Sequence, residues 1–203
     1  RRTAGLQMHS LRAPLLIVIS LLILSGCAVF GDVSVKIAPF KVIEADGDFE
    51  VRRYERLVLV STNMPNGMDS ASDPFYRLFN YISGENDKAE KIAMTAPVFM
   101  EQEDQKTKAM SFVLPEETSL TMAPLPSDQA VQLTELKDYI VAVVTFSGFL
   151  NQESVLVHRA FLENWIADKG LEITGAAKAA GYNPPFTLPF LRRNEIIIPI
   201  KKL

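Results

Sequence analysis

The chain has 203 residues, with 21 Lys and Arg against 24 Asp and Glu, for a net charge of −3. A mildly acidic chain whose basic residues come singly or in short pairs is not built to hold nucleic acid. Its one cysteine, Cys27, excludes an intramolecular disulfide, so stability has to come from a hydrophobic core, which a chain of this length can form.

In chain order, Leu15–Leu24 is an apolar run interrupted only by Ser20, preceded by Arg12 and closed by Leu24-Ser25-Gly26-Cys27. Ten helical residues cover about 15 Å, half of the ~30 Å hydrocarbon core of a bilayer, so the run suits a signal-peptide core and not a membrane span. Leu-Ser-Gly-Cys resembles a bacterial lipobox. Residues 1–26 are therefore expected to be a lipoprotein signal peptide, Cys27 the lipidated first residue of the mature chain, and 27–38 a tether. An ordinary secretory signal with a chance cysteine is the alternative. Met-His-Ser-Leu-Arg from Met8 is a normal basic start, which marks residues 1–7 as extra. Removal of 1–26 takes Arg1, Arg2 and Arg12 with no acid, so the net charge falls to −6 and His158 is the remaining imidazole. The expected location is the cell envelope, lipid-anchored to a periplasmic membrane face. Ala28 in place of Asp after Cys27 favours the outer membrane.

Residues 39–203 read as one domain. Phe40–Glu44 and Phe49–Arg53 flank Asp46-Gly47, a pair suited to a type I′ hairpin turn, and Leu57–Thr62 is an inner strand by its β-branched content. Asn63–Ser72 is loop. Phe75, Leu78, Phe79 and Ile82 recur at helical spacing, with Asp73 as cap, Pro74 in the first turn and Gly84 as the stop. Ile92–Met100 is a strand that Pro97 places at an edge, bulge or strand end. Glu101–Lys108 is a hairpin tip, Met110–Leu114 the returning strand, and Pro115–Asp128 a linker between halves. The second half repeats the first at an offset of 83, which carries Leu57–Thr62 onto Ile140–Thr145 and Leu78, Phe79 and Ile82 onto Phe161, Leu162 and Trp165. Glu153–Gly170, begun near Asn151, is a longer helix, Tyr182–Pro189 a proline-rich loop, and Glu195–Ile200 the last strand. The expected fold class is α+β: an antiparallel, barrel-like sheet with two helices, built from two βαββ-like repeats about a pseudo-twofold.

Four stretches resemble the SOUL haem-binding protein family, in the family's order. They are F-E-V-R-R-Y-E (Phe49–Glu55), F-x-x-L-F-x-Y-I-x-G-x-N with K-I-A-M-T-A-P-V (Phe75–Val98), F-S-G-F (Phe146–Phe149) and Y-N-P-P-F…F-L-R-R-N-E (Tyr182–Glu195). The resemblance implies the same barrel and a non-covalently bound haem or related tetrapyrrole, which makes the protein a carrier, buffer or sensor. It also implies a porphyrin lying on the first helix, at Phe75, Leu78, Phe79 and Ile82 with Asn80 and Tyr81 beside them. Some members are assigned a histidine ligand near the start of the domain, and Phe49–Thr62 holds none here.

The residues themselves leave alternatives open. His158 shares a helix face with Phe161, Leu162 and Trp165, where an imidazole is either an axial ligand to iron or a structural histidine bonded to a carbonyl. The aromatic stripe of the first helix is either core or platform. Met94 and Met100 are soft ligands or gap-fillers in a core. Arg192 and Arg193 either anchor a propionate or form a solvated turn. Carboxylate pairs such as Glu101/Glu103 and Glu116/Glu117 sit in expected exposed tips. No nucleophile elbow, phosphate loop or zinc-spaced pair occurs, so an enzyme is the weakest of three readings. Between the others stands an envelope domain that uses the same cleft for a non-haem apolar molecule.

Overall fold

The computed structural model describes residues 35–103 and 106–201. The signal peptide, the start at Met8 and lipidation at Cys27 lie outside the described residues. Val35–Leu203 forms a compact unit with its own core, as a domain that folds by itself requires. It begins four residues before the expected boundary, because β1 (Lys36–Ile37) pairs in parallel with β4 (Thr95–Ala96) and Ala38 is buried beside them.

The hairpin β2 (Lys41–Asp46) and β3 (Phe49–Asn63) turns at Asp46-Gly47 as expected. The first helix, α1 (Ser72–Ser83), starts two residues earlier than a cap at Asp73 would require, with Ala71 at the cap position. Asp73 instead lies in its first turn, where a carboxylate favours the N-terminal dipole. Next come β5 (Val98–Glu103), β6 (Lys106–Val113), β7 (Val131–Phe146), α2 (Gln152–Asp168), β8 (Lys178–Gly181) and β9 (Asn194–Pro199). The segment expected as a linker packs on α1 and the turn that follows it: Tyr81 Oη donates to Pro124 O at 2.9 Å, and Leu125 N donates to Asp87 Oδ1 at 2.6 Å.

Hydrogen bonding runs β3-β6-β5-β8-β9-β7, and β7 pairs back onto β3, closing a six-stranded antiparallel barrel with β2 as an extra strand. Each half contributes strand, helix, strand, strand. Leu59 pairs with Val113, and 84 residues further on Val143 pairs with Ile197; Val60–Phe112 recurs in the same way as Val144–Ile196. The pseudo-twofold is therefore real, and its offset is 84 instead of 83. One residue matters because a single step turns a strand over. At 84, outward Val58 and Val60 fall on outward Ala142 and Val144, and buried Leu78 and Ile82 fall on buried Leu162 and Ile166.

The core has two parts. A six-stranded barrel has no room inside for a helix, so the cluster that holds α1 and α2 is the outer one, and Tyr54, Leu57, Leu59, Phe99, Val141 and Ile197 fill the inside. Met94 and Met100 belong to the outer cluster, as core and not as free ligands.

Candidate functional site

His158 is a polar side chain set among aromatic rings, one of them exposed Phe161. The helix carrying it is fixed at its start by Asn151, whose side chain accepts from Ser154 N at 2.9 Å while Ser154 Oγ accepts from Asn151 N at 3.1 Å. This is a capping box with serine in the acid's place. Asn151→Ala is expected to cost about 1 kcal/mol in a urea denaturation curve. Ser154 Oγ also donates to Phe149 O at 2.7 Å, which ties the helix to the turn after β7.

One turn on, His158 Nδ1 lies 2.7 Å from Ser154 O. A carbonyl only accepts, so Nδ1 carries the proton of this bond, which leaves Nε2 as the nitrogen that can offer a lone pair. The half-buried imidazole lies flat on Phe146, with centroids 3.8 Å apart and planes 10° apart, and Phe161 meets its edge at 5.9 Å. The turn below is held by Gly148, whose φ of 105° is one that side-chain-bearing residues rarely adopt. Gly148 N donates to Pro189 O at 2.9 Å, and Gly148 O accepts from Asn194 Nδ2 at 3.1 Å. Two of the stretches singled out in the sequence, F-S-G-F and Y-N-P-P-F…R-R-N-E, thus meet at the start of α2. Among the described residues no three His, Cys, Asp or Glu side chains cluster as a metal site. A metal at His158 would have to arrive with its other ligands, as porphyrin iron does.

The first helix offers less than its spacing promised. Leu78 and Ile82 are buried against the sheet and cannot touch a ligand. Phe75 packs edge-on against Phe112 at 5.2 Å and stacks on Phe79 at 6.2 Å. Phe79, 44 % exposed, is the member of the four that faces outward. Another face of the same helix lines a hollow of about 280 Å³ with Asp73, Arg77, Asn80, Tyr81, Glu85 and Asp128, to which Phe79 does not contribute. Arg77 is paired there with Asp128 at 3.0 Å, and the remaining carboxylates repel a propionate.

Arg192 and Arg193 are also engaged. Arg193 donates through Nε and Nη2 to Glu195 Oε1 at 2.9 and 2.7 Å. Arg192 donates to Thr187 O at 2.8 Å and to Pro185 O at 2.6 Å, with its guanidinium 5.4 Å from the Phe149 ring centroid. Glu195, with no exposed surface, also accepts from Arg52 Nη1 at 2.8 Å and from Tyr182 Oη at 2.7 Å; Arg52 in turn reaches Glu50 at 2.5 Å. Burial pushes the Tyr182 and Tyr54 hydroxyls up, so both stay protonated. Burial works against the charge on Arg52, yet its bonds to Glu195 and then to Glu50 leave its pKa raised. This network plugs one end of the barrel and joins F-E-V-R-R-Y-E to R-R-N-E. A charge placed directly before a wholly apolar run, as in Asn-Glu-Ile-Ile-Ile, is the signal in the sequence that a buried partner exists.

A duplicated βαββ barrel, filled inside and flanked by two helices, defines a scaffold that binds on its outer surface or not at all. The chain belongs to the SOUL heme-binding protein family, whose model matches residues 35–199. It is 32 % identical over 170 residues to Heme-binding protein 2 of Homo sapiens, covering 77 % of this chain and 79 % of that protein. It is 29 % identical over 161 residues to Heme-binding protein 1 of Xenopus laevis, covering 75 % and 84 %. Among solved structures the EcmrR C-terminal domain superposes with a TM-score of 0.60 at 13 % identity, covering 76 % of this chain and 98 % of that one. At that identity the likeness is one of fold.

Proposed function

We propose that this protein binds haem, or a related tetrapyrrole, non-covalently on its outer surface and is held at an envelope membrane by lipid on Cys27. Family membership, with relatives named for haem, supports the ligand. The observation that carries the site is the His158 ring, which has one nitrogen committed to Ser154 O, the other able to offer a lone pair, and Phe146 and Phe161 as apolar neighbours. A carbonyl bond on the far nitrogen is the usual way a protein orients a metal-binding imidazole. The residues fit iron as a single axial ligand. Arg192 and Arg193 are engaged within the protein and take no part in holding the propionates.

A hemin titration of the Val35–Leu203 unit tests the ligand. A saturable one-to-one Soret shift at micromolar affinity or tighter is expected, and linear, non-saturating partition would overturn the reading in favour of a non-haem apolar ligand. His158→Ala is expected to move the Soret maximum. An unchanged spectrum with binding retained would remove His158 and leave the outward face of α1, at Phe79, as the platform. For the anchor, Cys27→Ser is expected to shift the protein from the membrane to the soluble fraction, and persistent membrane association would count against lipidation.

A further inference from the structure

Beyond the haem reading, and resting on the membrane anchoring proposed with it, we infer that the loop between β8 and β9 is a bilayer-inserting surface. Phe186, Phe190 and Leu191 are 83 %, 70 % and 63 % exposed, Leu188 in the same loop is exposed too, and exposed Phe149 is joined to the loop through the Arg192 guanidinium. Scattered exposed apolar residues are ordinary, whereas five gathered at one loop mark an interaction surface.

Three features commit the occupant to lipid. The loop's polar backbone is turned inward: Arg192 binds the carbonyls of Thr187 and Pro185, Leu191 N donates to Leu188 O, Thr187 N to Pro184 O, and Gly148 N to Pro189 O. A loop that enters hydrocarbon must satisfy its own N–H and C=O groups while presenting apolar side chains, as this one does. Residues 145–152 and 182–193 contain no acidic residue, so nothing in the loop repels an anionic headgroup. The chain also enters the domain at the right place. Lys36 pairs with Thr95 in parallel, while Val98 faces Gly181, the residue from which the loop departs, so Val35 and the loop leave the same end of the barrel. The eight residue steps from Cys27 to Val35 span at most roughly 28 Å, so a lipid on Cys27 keeps that end close to the membrane. Arg192 thereby acquires a role as the residue that holds the loop in shape.

Co-sedimentation of the Val35–Leu203 unit with phosphatidylethanolamine/phosphatidylglycerol vesicles tests this without the anchor. The unit is expected to partition onto the vesicles, and Phe186→Ser with Phe190→Ser to weaken partition at least about tenfold. Both side chains are solvent-exposed, so the melting temperature and the hemin titration are expected to stay unchanged. Wild-type protein that stays in the supernatant, or a double variant that partitions equally, overturns the inference. So does a lipid-free dimer that the double variant dissolves, which would make a second copy the occupant, and so does joint loss of hemin binding, which would assign the aromatics to the haem site. Fractionation of the full chain carrying Cys27→Ser reads the anchor separately, so failure of the anchor and failure of the loop give different results.

Discussion

Glu195→Ala is expected to destabilise the domain by about 3–5 kcal/mol, read as a fall in the urea midpoint at unchanged slope. Arg52 is only 2 % exposed and Glu195 not at all, so removing the carboxylate strands a guanidinium away from water. Glu50 remains to Arg52, but it is itself partly solvated, with 27 % of its side chain exposed, and compensates for only part of the loss. Tyr182 loses its acceptor in the same step. The converse substitution is expected to be milder. Arg52→Ala leaves Glu195 with Arg193 and Tyr182, three hydrogen bonds in place of four short ones. Replacing both partners with apolar residues, as in Arg52→Met with Glu195→Leu, is expected to recover most of the stability lost in Glu195→Ala, because the cost lies in the unpaired charge and not in the lost attraction. A Glu195→Ala loss below about 1 kcal/mol would mean that water reaches this end of the barrel, and the claim of a filled interior would fail with it. That claim governs function too, since a barrel closed by this plug and packed with Tyr54, Phe99 and Ile197 leaves the outer surface for a tetrapyrrole.

Local signals carried the fold a long way. Asn151 caps α2 where the sequence indicates, and Gly84 ends α1. Three things stayed hidden, each for a physical reason. β3 is one strand of fifteen residues instead of two, because the ladder to β7 skips Glu55 and Asp138 and runs on in the same register; the exposed charged pair Glu55-Arg56 looks like a break when only the chain is in view. β8 is Lys-Ala-Ala-Gly, with no intrinsic strand preference. It is extended because β5 and β9 flank it, and Ala180 is small because it points into a crowded interior. The site was half legible. Helical spacing put His158 on an apolar face, but its stacking partner Phe146 comes from a different element, and Arg52 meets Glu195 across 143 positions. Spacing within one helix reveals which residues share a face and says nothing about what that face meets.

The one-residue slip in the repeat gives the second large prediction. Aligned at 83, the sequence pairs Leu78 with Phe161 and Phe79 with Leu162; the barrel's register pairs Leu78 with Leu162 and leaves Phe79 and Phe161 outward. Leu78 and Leu162 are both fully buried in the outer cluster, each under its own helix. Truncating either to alanine removes buried methyl groups and leaves a cavity that rigid strands cannot close, a loss of about 2.7–5 kcal/mol. The two losses are expected to be similar in size, as equivalent places in a duplicated structure should give. Phe79→Ala and Phe161→Ala, on the same two helices, are expected to change stability by less than about 1 kcal/mol, since much of each ring is already in water. Their effect belongs in the hemin titration instead: Phe161→Ala is expected to weaken binding by removing an apolar neighbour of the His158 ring, while Phe79→Ala leaves it unchanged. Four denaturation curves and two titrations therefore separate core from surface on each helix. If Phe161→Ala unfolds the protein while Leu162→Ala does not, the dyad is out of register and the candidate site at His158 built upon it is lost as well.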